Sequence, residues 1–144
     1  MTALDDLIAW YENLSPETVV EAGRFYASDA SFKDPFNEVR GIGAIEHIFR
    51  HMFVQVEEPR FVVTGRFPGK DDDCGAMLLW EFHFRTRGLG AQALCVKGAS
   101  HLRFDAAGRV AEHRDYWDAA GELYARLPLI GAPMRLLLRM GAAK

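Results

Sequence analysis

Leu78-Leu79-Trp80-Glu81-Phe82-His83-Phe84-Arg85 decides how this chain is read. Leu78, Trp80, Phe82 and Phe84 recur at every second residue, a period that puts them on one face of a β-strand. Leu79, Glu81, His83 and Arg85 alternate with them and are mostly polar, so the other face is the wetter one. A strand with one apolar face needs neighbours, and the sequence supplies them on both sides. Residues 60–67 read as the strand before it, 91–104 as the strand after it and 109–117 as the next. Turn residues separate them at Pro68 to Asp73, Arg87 to Gly90 and Asp105 to Gly108. This spacing predicts an antiparallel meander.

The first half has a different period. Thr2 is placed as the N-cap of a helix carrying Leu4, Leu7, Ile8 and Tyr11. Ser15-Pro16-Glu17 predicts a second helix start, with Val19, Val20, Phe25 and Tyr26 as its apolar surface. Ala30 to Asp34 reads as a short strand stopped by Pro35, followed by a loop with Asn37, Gly41 and Gly43. Ile45, Ile48, Phe49, Met52 and Phe53 then form one stripe of a third helix. Beyond Trp117, Asp118 caps a helix over 119–126, and Pro133 opens a last one over 134–140. Helices followed by a meander predict an α+β fold, a bent sheet wrapped over three N-terminal helices as a cone with a closed end and a mouth. Such apolar concavities favour small-molecule sites.

Composition narrows the function. The 144 residues are 49% hydrophobic and 26% charged, enough apolar material for one packed domain over 1–144. A net charge of −3 leaves no basic face for nucleic acid. No apolar run reaches the roughly 18–20 residues of a membrane span. The acidic start, Thr2 to Asp6, is unlike a secretory leader, so a cytoplasmic protein is expected. Cys74 and Cys95 have no Cys-x-x-Cys partner, which argues against a disulfide framework or a cysteine zinc site. His47 and His51 have a zinc-compatible spacing but lie off the apolar stripe and read as a solvated face. Asp71 to Asp73 lacks the Gly and Glu of a calcium loop. No metal or cofactor is expected.

Phe25-Tyr26-Ala27-Ser28-Asp29-Ala30-Ser31-Phe32-Lys33-Asp34-Pro35-Phe36-Asn37 and Arg40-Gly41-Ile42-Gly43-Ala44-Ile45 resemble the nuclear transport factor 2-like superfamily, which includes ketosteroid isomerase and the SnoaL-like polyketide cyclases. Ser100 to Val110 is similar to its third-strand hairpin. The resemblance covers about residues 3–117 and leaves 118–144 as a C-terminal helical extension. It implies the cone fold, usually as a homodimer through the sheet. It also implies Asp34 at the position of the isomerase's general base. The isomerase's two oxyanion donors fall at Ser100 and Trp10, neither of which is the family residue, although Tyr11 adjoins Trp10. Steroid isomerisation is therefore not implied. The family's cavity-facing positions on the last strand fall at His113, Asp115 and Trp117.

Each candidate has a functional and a structural reading. Asp34 is a base at a strand end whose burial raises its basicity, or simply the Asp-Pro start of a turn. His113 and Asp115, two apart on a strand, share a face and bring a proton-shuttling pair into the cone, or form a structural pair. A β-bulge near Val110 to Glu112 would expose them and turn Arg114 and Tyr116 inward. Ser100 donates to a substrate oxygen or merely makes room. Trp80, Phe82, Phe84 and Trp117 are pocket walls or core, Trp10 joins the pocket list, and Tyr11 and Tyr26 put a hydroxyl into the cavity, where a tyrosine could hold a substrate oxygen, or keep it on a buried partner. His83 and His101 fall on the outer face, where a dimer contact outranks a metal. The basic tail with Arg126, Arg135, Arg139 and Lys144 covers the mouth, joins a dimer or touches a membrane surface.

The expected activity is cofactor-independent proton abstraction from a small hydrophobic metabolite, as in an isomerase, dehydratase or cyclase. Asp34 is the base, and His113 and Asp115 are the acid partner and its orienter. The alternatives are a non-catalytic ligand-binding or dimeric interaction module, and an epoxide hydrolase. The charge-paired form of the hydrolase needs Arg114 inside.

Overall fold

The computed structural model describes residues 2–70, 75–88 and 90–143. The calcium-loop question at Asp71–Asp73, Cys74 and the middle of the turn at Leu89 lie outside them. Chain order is α1 (Ala3–Glu12), a 3-10 helix (Val19–Arg24), β1 (Tyr26–Lys33), β2 (Glu38–Arg40), α2 (Ile42–Gln55) and β3 (Glu57–Pro68). There follow β4 (Gly75–Arg85), β5 (Ala93–Phe104), β6 (Val110–Trp117), α3 (Ala119–Glu122) and α4 (Gly131–Gly141). One six-stranded sheet runs β2-β1-β6-β5-β4-β3. Its four long strands form the expected antiparallel meander, and β1 pairs parallel to β6. The fold is the predicted α+β cone.

Local chemistry explains the boundaries. Thr2 and Asp5 form a reciprocal capping box at the start of α1. Two side chains then tie α1 to the edge strand β3: Arg66 bonds Asp5, and Glu12 accepts from the Val63 N–H at 3.0 Å. The second bond occupies a backbone donor on an edge strand that would otherwise invite another chain. Ser15 and Thr18 exchange hydrogen bonds in a tight turn, so the second helix is a single 3-10 segment rather than an α-helix. Trp10 closes this corner, its indole N–H donating to the Thr18 carbonyl at 3.0 Å. Phe25 and Tyr26 leave that helix. Tyr26 opens β1, four residues before the predicted strand. The loop predicted after Asp34 contains the short strand β2, paired with β1. Gly41 starts α2 at φ +100°, a conformation that favours glycine.

Leu7, Val19, Tyr26, Ile45, Leu78, Leu102 and Val110 are wholly buried between the helices and the concave sheet face. Each such side chain contributes about 1.5–3 kcal/mol. The stripe of α2 faces this core through Ile45 and Phe49, while His47 and His51 are exposed as read. On β4 the even residues Leu78, Trp80 and Phe84 are buried.

The bulge foreseen near Val110 is present, but its effect differs. Arg103 pairs with Glu112 and Phe104 with Val110, leaving Ala111 as the extra residue. Val110 and His113 are three apart and both buried, which an unbroken strand forbids and one bulged residue allows. His113 therefore stays inside, and Arg114 and Tyr116 lie on the outer face with the guanidinium 4.7 Å over the phenol ring.

Gly98 on β5 fixes another inward group. A Cβ there would come within 2.4 Å of the Trp80 ring and 3.0 Å of the Trp117 Cβ. The Trp80 indole thus lies flat on the sheet only because Gly98 lacks a side chain. Gly98→Ala should lower stability by about 1–3 kcal/mol through overpacking. Urea denaturation followed by tryptophan fluorescence measures this, with a shifted native-state emission as Trp80 is displaced.

A buried proton chain in the cone

Six side chains from five elements meet along one line. The β5–β6 register sets Ser100 beside Asp115 and Leu102 beside His113, and the parallel β1–β6 register sets Phe32 beside His113. The Trp80 Nε1–H donates to Ser100 Oγ at 2.9 Å, and the Ser100 hydroxyl donates to Asp115 Oδ1 at 2.5 Å. His113 Nε2 lies 2.7 Å from the same Oδ1. On the far side of the ring, Tyr26 Oη is 2.7 Å from Nδ1, and Tyr11 Oη is 2.6 Å from Tyr26 Oη.

Hydrogen counting assigns the directions. With Nε2–H donated to Asp115, the neutral imidazole leaves Nδ1 as an acceptor. Tyr26 then donates to His113, and Tyr11 donates to Tyr26. Every hydrogen has an acceptor, and both arms end on Asp115 Oδ1. Among the described residues no hydrogen bond reaches Asp115 Oδ2, and no buried polar side-chain atom lacks a partner. Oδ2 therefore opens to solvent. The side-chain exposures agree, at 4% for His113 and 18% for Asp115.

Aromatic rings surround this line of hydrogen bonds. Trp10, Tyr11, Phe32 and Phe49 pack ring against ring around His113, whose ring centre is 4.5 Å from that of Phe32. Trp10, Tyr11, Tyr26, Trp80 and Phe84 are core, and Phe82 and Trp117 are half-buried at its margin. Phe36 stacks edge-on against Trp117 and Tyr124 beside that margin. Ser100 bridges Trp80 to Asp115 rather than leaving space.

Asp34 stands apart from this chain. It ends β1, and its Oδ1 accepts from the Phe36 and Asn37 backbone N–H groups at 2.8 and 2.7 Å. The Asn37 amide reaches both its oxygens, at 3.1 and 3.2 Å. That is the hydrogen-bonded turn of the Asp-Pro reading. Sequence reasoning gave the Tyr11 and Tyr26 hydroxyls a place in the cavity or a buried partner, but did not identify His113 as that partner. The available signal was two tyrosines predicted inside an apolar cone with a histidine, since buried hydroxyls need partners. His83 and His101 do not meet: the register sets His83 opposite Cys95 and His101 opposite Met77.

Residues 7–113 match the family model of the SnoaL-like domain. The chain belongs to the SnoaL-like family. No match was found among curated proteins. Three solved structures illustrate the likeness. One is a hypothetical protein with a ketosteroid isomerase-like fold from Catenulispora acidiphila, in complex with trimethylamine. It has TM-score 0.70 and 15% identity, over 85% of this chain and 92% of that one. A nuclear transport factor 2-like protein of unknown function from Exiguobacterium has TM-score 0.68 and 16% identity, over 81% and 98%. A candidate SnoaL-like polyketide cyclase from Shewanella putrefaciens has TM-score 0.66 and 18% identity, over 85% and 97%. At such identities these likenesses establish the fold of this SnoaL-like protein. Among its described residues, no helix is long and apolar enough to cross a membrane.

Burial pushes the Tyr11 and Tyr26 hydroxyls far above the usual tyrosine range, and the negative Asp115 adds to the rise in both. The folded protein thus keeps two protons that the unfolded chain releases near pH 10. Their contribution to stability is full below about pH 10 and falls as pH rises above it. Alkaline titration by tyrosinate absorbance should leave at least two of the four tyrosines un-ionised until the chain unfolds.

Proposed function

We propose that this SnoaL-like protein is an enzyme that moves a proton on a small hydrophobic molecule held at the mouth of the cone, as an isomerase, dehydratase or cyclase does. The observation that carries this reading is the free Oδ2 of Asp115, backed by an oxygen that accepts from both His113 and Ser100. The substrate C–H proton passes to Oδ2. From there it returns to another carbon or leaves with a leaving group. Oδ1 keeps both donors whether Oδ2 carries the proton or not, so no rearrangement accompanies the transfer. His113, Tyr26 and Tyr11 hold the carboxylate from behind, and half-buried Trp117, two residues further along the same strand, offers apolar contact. The step itself requires no cofactor.

In this reading Asp115 takes the role first expected of Asp34, whose oxygens are already bonded within their own turn. Epoxide opening by an acid–arginine pair lacks support, because Arg114 lies outside with Tyr116. A homodimer through the sheet has its own support: exposed Phe67 and Tyr116 flank an outer-face cleft of about 240 Å³, with Met77 and His101. Tyr116→Asp should shift the protein to monomer in analytical ultracentrifugation if that cleft seats a second copy.

Deuterium uptake at α-carbons of cyclic ketones, enones and β-keto esters, followed by NMR in D₂O, tests the chemistry. Asp115→Asn keeps the Oδ1 acceptor and should slow exchange by about 10²–10⁴-fold. Asp34→Asn should leave exchange near wild type. The reverse pattern would return the base to Asp34. Binding without exchange in the wild type would favour the non-catalytic module.

A further inference from the structure

On the opposite face of the sheet, β4 and β5 bring a carboxylate, an imidazole and a thiol together. Glu81 and His83 are two apart on β4 and share the outer face, and the register sets Cys95 directly across from His83. His83 Nε2 lies 3.0 Å from Glu81 Oε1 and 3.8 Å from Cys95 Sγ, and all three donor atoms fall within 4.8 Å of one another. Tetrahedral zinc with nitrogen, oxygen and sulfur ligands sets ligand atoms about 3.3–3.6 Å apart. Small side-chain rotations close that difference, since Glu81 and His83 are one-third exposed. We propose that Glu81, His83 and Cys95 form a binding site for a zinc-type divalent cation, with water in the fourth position.

The donor set selects the ion. A thiolate with an imidazole suits borderline-soft zinc and disfavours magnesium or calcium, which prefer oxygen alone. Without the ion, the Nε2–H of His83 bonds to Glu81. Binding at Nε2 leaves the ring proton on Nδ1, and the Cys95 thiol proton leaves to solvent. The thiol gains most. Partial burial and the Glu81 charge hold it protonated above its usual range, and a bound cation reverses both effects. Charges facing it from neighbouring elements are Lys97 on β5, Glu122 on α3 and Arg126, which bonds both Glu122 and the Cys95 carbonyl. Two carboxylates and a thiolate outnumber these two cations, so the site attracts a dication. Because the Cys95 thiol must lose its proton, affinity falls as pH falls.

The test is a cobalt titration of the full-length, metal-free chain carrying Cys74→Ser, so that Cys95 is its single thiol. One equivalent should produce a thiolate-to-cobalt charge-transfer band, which one equivalent of zinc removes. Cys95→Ser should abolish the band. His83→Ala and Glu81→Gln should each weaken binding by at least about tenfold. Far-ultraviolet circular dichroism verifies that each variant is folded, and Glu81→Gln alone decides if Cys95→Ser is not. Absence of a saturable band, or wild-type affinity in His83→Ala and Glu81→Gln, overturns the site.

Discussion

A hydroxyl, an imidazole and a carboxylate inside an apolar cone must satisfy one another, and the line from Tyr11 through Tyr26, His113, Asp115 and Ser100 to Trp80 is how this chain does it. Leaving one such group unpaired costs about 1–3 kcal/mol, so the six side chains constrain each other's positions. They come from α1, β1, β4, β5 and β6, which makes the line a lock on the register of the whole sheet. Gly98 belongs to the same lock: it lets the Trp80 indole lie down far enough to reach Ser100. Helix α1 is held from both sides, by Tyr11 within and by Asp5 and Glu12 on β3.

Much of the fold was legible because its signals are local. The alternation in β4, the stripe of α2, the Thr2 cap and the Asp118 cap each act within a few residues, and the structure has all of them. The early start of β1 and the strand β2 were not legible, since both depend on pairing with distant partners. The same limit applies inside the cone. His113 and Asp115 could be read as neighbours from their spacing, but their bonds to Tyr26 and Ser100 depend on strand order and register. Asp34 carried a resemblance and a turn signal together, and its hydrogen bonds follow the turn.

The two faces of the sheet divide the polar chemistry. Inside, hydrogen bonds converge on a single carboxylate oxygen and leave the other free. Outside, Glu81, His83 and Cys95 remain half-exposed, with Arg126 of the C-terminal segment bonded beside them. Period-two alternation produces both sets from the same strands, because odd and even residues of an unbroken strand face opposite ways.

The bulge in β6 breaks that alternation once, and it does so with a spare residue. Ala111 has no partner across the ladder, and the inward sequence Val110, His113, Asp115 is what a plain strand would present if Ala111 were missing. The chain can therefore shorten by one at this point and still keep the same interior. Elsewhere in β6 the loss of one residue would invert every side chain beyond it. Length variation among hairpins of this kind is thus tolerated at the bulge, and the inner chemistry is insulated from it.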